Sequence, residues 1–107
     1  MLRFPAPHKY GARKTEADGI TFDSKAEALR YQELRMLERA GLISDLELQP
    51  KYRIEVDGVK ICDYKADFRY REQGQTVVED VKGVRTPAYL LKKKLMEAVH
   101  GIIVRET

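Results

Sequence analysis

Residues 43–81 carry three stretches of strand texture punctuated by Asp57-Gly58 and Gln73-Gly74, with a helical period on either side. No other feature restricts the fold as much. Asp-Gly is a strong two-residue hairpin signal, because both central positions of such a turn need a positive φ. The first stretch, LELQPKYRIEV, is interrupted by Pro50, which has no N–H for a ladder and so marks a bend or a sheet edge. VKICDYKADFRY supplies a second strand and QTVVEDVK a third. Upstream, FDSKAEALRYQELRMLERAG has Asp23 or Ser24 as N-cap and Gly41 as a stop. Its apolar stripe is Ala26, Leu29, Leu34, Leu37 and Ala40. Downstream, TPAYLLKKKLMEAV opens with Thr86 as cap and Pro87 at the first helical position, with a stripe of Ala88, Leu91, Leu95, Ala98 and Val99. IIVRE follows Gly101 as a short last strand.

The order α-β-β-β-α-β predicts an α/β fold. A helix joins the third and fourth strands and makes them parallel, so the sheet is mixed and flanked by helices. At 107 residues the chain holds one core. Residues 1–20, rich in Gly, Pro and basic side chains, read as a basic arm, and residues 21–107 as the domain.

A 43% apolar and 35% charged composition is that of a soluble globular chain, and no apolar run is long enough to cross a membrane. The first residues lack the apolar centre of a secretory signal, and Cys62, the sole cysteine, cannot form an internal disulfide; a cytoplasmic location is expected. The net charge of +3 is small, but its distribution is uneven. Arg3, Lys9, Arg13 and Lys14 lie in an acid-free segment, as do Lys82, Arg85, Lys92, Lys93 and Lys94. Two separate basic segments suit a polyanion such as nucleic acid; the blander alternative is a solvated lysine-rich surface.

With Gln73-Gly74 at the centre of a turn, Glu72 pairs with Gln75, Tyr70 with Val77, and Asp67 falls opposite Asp80. Directly opposed residues hold their Cβ atoms about 4.5–5.5 Å apart. Alternation puts Lys82 on the same face, with Ile61 and Val78, while Cys62, Tyr64, Ala66, Phe68 and Tyr70 form the apolar parity. Two carboxylates so close repel unless a proton or cation lies between them. Two acids beside open space suit Mg²⁺, which takes hard oxygen ligands and keeps room for water and phosphate, while a nearby lysine can orient the attacking water. A slip of one residue would separate the acids, and charged hairpins also occur as plain solvent-facing surfaces.

These residues resemble the PD-(D/E)XK nuclease superfamily, whose common core is α-β-β-β-α-β, and within it small phage-encoded endonuclease-like proteins. Asp67 matches the first acid and Asp80-Val81-Lys82 the (D/E)XK element. FDSKAEALRY, LELQP, YKADF, VEDVKG and LKKKL look like shared segments covering most of the chain. Ala66 departs from the pattern, standing where proline is usual, and Asp80 is the shorter of the two permitted acids. The resemblance implies a restriction-endonuclease-like core and a Mg²⁺-dependent endodeoxyribonuclease, with Mn²⁺ able to substitute, working on phage DNA in a bacterial cytoplasm. It implies catalytic roles for Glu27, Asp67, Asp80 and Lys82, with metal held by Asp67, Asp80 and Glu27.

For Glu27 the alternative is a capping box with Ser24, and Glu33 is a rival. Candidate DNA contacts are Lys9, Arg13, Lys14, Gln49, Arg85, Lys92 and Lys93, with Tyr89 packing beneath Lys93 or touching DNA itself; Lys94 reads as a solubility charge. His8, His100 and Cys62 show no ligand or nucleophile spacing and read as incidental. The small contact surface leads to the expectation of a homodimer that cuts both strands or a branched junction, reading backbone and shape more than bases. The rival function is a non-catalytic DNA-binding module of the same fold in a phage replication, recombination or packaging complex.

Overall fold

The structure, a computed structural model, describes residues 14–107. The elements are β1 (Thr15–Ala17), β2 (Ile20–Phe22), α1 (Lys25–Arg39), β3 (Ser44–Leu48), β4 (Lys51–Val56), β5 (Val59–Lys65), β6 (Phe68–Glu72), β7 (Gln75–Asp80), α2 (Pro87–His100) and β8 (Arg105–Glu106). The chain is mixed α/β, with a four-stranded mixed sheet in the order β3-β6-β7-β8. β6 runs antiparallel to both β3 and β7, and β8, reached through α2, lies parallel to β7.

Both helices begin and end where their capping residues dictate. The Ser24 hydroxyl accepts the Glu27 N–H at 3.1 Å, and the Thr86 hydroxyl accepts the Tyr89 N–H at 3.1 Å. At the end of α1 the N–H of Gly41 reaches the Glu38 carbonyl and that of Leu42 the Leu37 carbonyl, both at 3.0 Å, closing the last carbonyls. Gly101 ends α2 at φ +70°, a conformation that costs glycine nothing. The β6–β7 turn has Gln73 at φ +51° and Gly74 at +76°, both positive as a tight hairpin demands.

Two expected strands are each broken once, and the breaks lie side by side. The first parts at Gln49 and Pro50, the second at Ala66 and Asp67. Across the gap the Gln49 N–H donates to the Asp67 carbonyl at 2.9 Å, and the Ala66 N–H to the Pro50 carbonyl at 3.0 Å. Gln49 takes φ +54°, and Pro50 has no N–H, so neither continues a flat ladder. β4 and β5 therefore form a separate two-stranded ribbon. The break also divides the expected apolar parity. Phe68 and Tyr70 enter a core under α1, whereas Tyr64 and Ala66 join Ile54, Val78 and Met96 in a second core under α2.

A further correction concerns the arm. Residues 15–22, mostly assigned to it, form the β1–β2 hairpin, which packs on α1 through Ala17 and Phe22. The Phe22 and Tyr31 rings stand 5.0 Å apart, and the Tyr31 hydroxyl bonds Asp18. Both helices also match their expected stripes only in part. α1 buries Glu27, Ala28, Tyr31 and Leu34 and exposes Leu29; α2 buries Tyr89 and Met96 and exposes Leu91. A buried acid and two buried tyrosines lie on the inward faces, and counting aliphatic residues alone passes over them. No helix among the described residues is long and apolar enough to cross a membrane.

Candidate functional site

The β6–β7 register pairs Phe68 with Glu79, Arg69 with Val78 and Glu72 with Gln75, as the turn at Gln73-Gly74 requires. One step further, Asp67 and Asp80 stand level at the point where the strands open toward the β4–β5 ribbon. They are locked by backbone bonds. The Asp67 N–H donates to Asp80 Oδ1 at 3.0 Å, and the Val81 N–H to Asp67 Oδ2 at 2.8 Å. Asp80 is wholly buried, and its second oxygen accepts the Tyr64 hydroxyl. Lys82 Nζ stands 3.8 Å from the same oxygen and 4.2 Å above the Tyr89 ring, which holds the ammonium by its π face.

From the other side, the first turn of α1 delivers Glu27, which is 7% exposed and hydrogen-bonded to Asp67. Its backbone is capped by Ser24, yet its carboxyl is committed to Asp67 and to the Asp23 N–H. Burial, followed by the Asp67 charge and their shared bond, pushes Glu27 up to about 7. Burial raises Asp67 too, against the pull of the Val81 N–H and Lys82. Asp80 is pushed up to about 6 by burial, against Lys82 and the Asp67 N–H. Three acids thus meet in a partly dry place with one lysine to balance them. Such an arrangement retains protons near neutrality unless a cation takes their place.

The donors are all carboxylate oxygens, which suits a hard divalent cation, and such an ion would compete with the proton that burial and Asp67 favour on Glu27. The side chains are not set in a ready coordination shell: among the described residues no group of three His, Cys, Asp or Glu stands in metal-holding geometry. Asp80 in particular has both oxygens engaged by Tyr64 and the Asp67 N–H.

Glu79 was passed over in the sequence. It is fully buried and takes Arg30 Nε at 2.6 Å and Nη2 at 3.0 Å, the Tyr70 hydroxyl at 2.6 Å and the Thr107 hydroxyl at 3.2 Å. Burial alone would raise its carboxyl, but these partners, Arg30 foremost, hold it below the usual range. The pair fastens α1 to β7 one turn from Glu27 and one residue from Asp80. Glu33 is exposed and turned to Arg30 at 3.1 Å, which removes it as a rival to Glu27. Tyr64 is buried as its strand parity predicts, and its hydroxyl also reaches Asp80, a contact that sequence spacing does not reveal. No local sequence signal announces the buried bridge, because Arg30 and Glu79 are forty-nine positions apart.

The expected DNA contacts divide. Gln49 sits at the bend, its backbone bonded to Asp67. Lys92 lines a groove beside Lys82. Arg85 and Lys93 are both engaged by Glu106, at 2.8 and 3.1 Å, and Tyr89 donates to the same carboxylate at 2.8 Å. Arg85, Tyr89 and Lys93 together hold Glu106 down at about 2. The Tyr89 ring lies beneath Lys82, while its hydroxyl shares Glu106 with Lys93. Lys14 pairs with Asp23 at 3.1 Å on the surface. Lys9, Arg13 and His8 lie outside the described residues. His100 bonds the Arg53 carbonyl at 2.9 Å, and Cys62 is half-buried against the second core.

The model of a family described as a protein of unknown function, DUF1064, matches residues 7–104, nearly the whole chain. No curated protein and no solved structure matches.

Proposed function

We propose that this chain, which belongs to the DUF1064 family, is a divalent-metal-dependent DNA endonuclease of the PD-(D/E)XK kind. One observation carries the reading: Glu27, Asp67, Asp80 and Lys82, brought from three segments, converge at the opening of the β6–β7 ladder, with burial raising all three acids. The topology supports it. Three antiparallel strands, a crossover helix and a parallel fourth strand, preceded by a helix that supplies an acid, are what the restriction-endonuclease-like core requires.

Asp67, Asp80 and Glu27 are the residues that would hold Mg²⁺ or Mn²⁺. When bound, the ion polarises the phosphodiester and acidifies a coordinated water. The chain's own contribution is positional. Lys82, supported by the Tyr89 ring, holds an ammonium beside Asp80, from where it would orient a water and stabilise developing negative charge. Glu27, near 7, can hold or release a proton at working pH. Tyr64 orients the Asp80 carboxylate. Gln49 and Lys92 flank this centre as contacts to the DNA backbone, and two copies in a homodimer would present one centre to each strand.

The test is cleavage of plasmid and four-way junction DNA with Mg²⁺ or Mn²⁺. Asp80→Asn is expected to lose at least 100-fold of the cleavage rate while still binding DNA. Full cleavage by that variant would overturn the nuclease reading; wild-type binding without any cleavage would leave a non-catalytic DNA-binding module.

A further inference from the structure

Beside Lys82 a groove of about 510 Å³ runs between the β4–β5 ribbon and the start of α2, and Lys51, Lys65, Lys82 and Lys92 all line it. Lys51 and Lys65 are directly opposed in the β4–β5 ladder. Two like charges so placed destabilise an antiparallel pair. Among the described residues neither has a carboxylate within ion-pair distance, and Lys92 has none either. The groove's one acid, Asp63, is occupied by Lys60 at 2.9 Å, which foremost holds it below the usual carboxylate range. The first turn of α2, at the far wall, contains no acid.

Other concave surfaces hold a smaller excess of positive charge. In the one formed by β3 and β6, Arg69 is satisfied by Glu47 at 2.6 Å and by the Tyr52 hydroxyl, and Arg71 by Thr76. In the one on α1, Arg35 is held by Glu38 at 2.8 Å. Four lysines face one acid in the lysine groove, against two arginines and one acid in the concavity on α1 and two of each in that of β3 and β6. The lysine groove also opens next to the acids, because Tyr64 and Lys82 line it and both contact Asp80.

We propose that this groove carries the DNA backbone away from the reactive centre, with Lys51 and Lys65 gripping phosphates next to the one that is cut. The proposal rests on the nuclease reading and adds a direction to it: the duplex lies along the β4–β5 ribbon, not along Arg85 and Lys93, whose charges Glu106 absorbs. Lysines opposed at a cost to the ribbon are explained by a polyanion that brings them its own counter-charge.

The test measures binding of a fluorescent DNA duplex by anisotropy over a salt series, with divalent metal withheld so that cleavage plays no part. The full chain is compared with Lys51→Gln/Lys65→Gln and with Lys94→Gln, an exposed lysine outside the groove. Each phosphate contact contributes about 0.9 to the slope of log K against log salt, so the double variant should lose about 2 from that slope and Lys94→Gln much less. Both groove lysines are exposed, so the variant should fold, and relief of the opposed pair should leave its melting temperature equal or higher. An unchanged slope in the double variant, with wild type binding, overturns the groove and leaves the nuclease reading in place. Absence of DNA binding by wild type overturns both.

Discussion

Replacing Asp80 by asparagine should make the metal-free protein more stable, and by an amount the structure supplies. Asp80 is completely buried, and burial pushes its carboxyl from 3.8 up to about 6 despite Lys82 and the Asp67 N–H. A gap of about two units, at about 1.4 kcal/mol each, comes to about 3 kcal/mol held against the fold whenever the group is ionised. From pH ~4 to ~6 the folded chain keeps a proton that the unfolded chain releases, so stability falls as pH rises through that window and the full cost stands above it. The asparagine oxygen can still accept the Asp67 N–H, and its amino group can donate to the Tyr64 oxygen, but the Tyr64 O–H then loses its acceptor, which offsets about 1 kcal/mol of the gain. Urea unfolding without divalent metal should therefore show Asp80→Asn more stable by about 2 kcal/mol at pH 8, with that advantage lost by pH ~4. At about 4–8 °C per kcal/mol, the melting temperature should rise on the order of 10 °C. A variant less stable than wild type at pH 8 would refute the reasoning, because Asp80 would then be a structural ion-pair partner and not a carboxylate kept at the expense of the fold.

Arg30→Ala, which leaves the buried Glu79 without its guanidinium, should cost about 3 kcal/mol in urea unfolding; a loss below about 1 kcal/mol would deny that the bridge fastens α1 to β7. Mn²⁺ should raise the melting temperature of wild type, by an amount equivalent to about 2.7 kcal/mol at 100 times its dissociation constant, and Glu27→Gln should lose most of that shift. Because Glu27 stands near 7, the Mn²⁺ shift should grow from pH 6 to 8 as its proton leaves; a shift independent of pH would remove Glu27 from the metal's ligands. Gly101→Ala, which meets no atom within 4 Å but must hold φ +70°, should cost about 1 kcal/mol by thermal melting, with cleavage unchanged.

The turn signals were the most legible part of this sequence. Gln73-Gly74 fixes the hairpin register, and that register alone brings Asp67 level with Asp80 and leaves Lys82 just beyond. Caps at Ser24 and Thr86 placed both helices, because their bonds are local and need no knowledge of what packs where. What could not be read depends on distant pairings. Glu79 looked like an ordinary strand charge, since nothing nearby in sequence announces Arg30, forty-nine positions earlier. Pro50 forecast a bend in its own strand, yet the matching break at Ala66 and Asp67 became visible only with the partner beside it. Aliphatic counting found part of each inward face, Leu34 and Leu37 on α1 and Leu95 and Val99 on α2, but missed the tyrosines and the acid that share it.

The side-by-side bends give the chain an architectural joint. Residues 51–65 leave the scaffold and rejoin it at adjoining points, anchored inward by Ile54 and Tyr64. A different ribbon spliced between those points, with the two anchors kept, would leave the cluster of Glu27, Asp67, Asp80 and Lys82 in place on the rest of the molecule. Grip on a partner and chemistry upon it could then be altered independently.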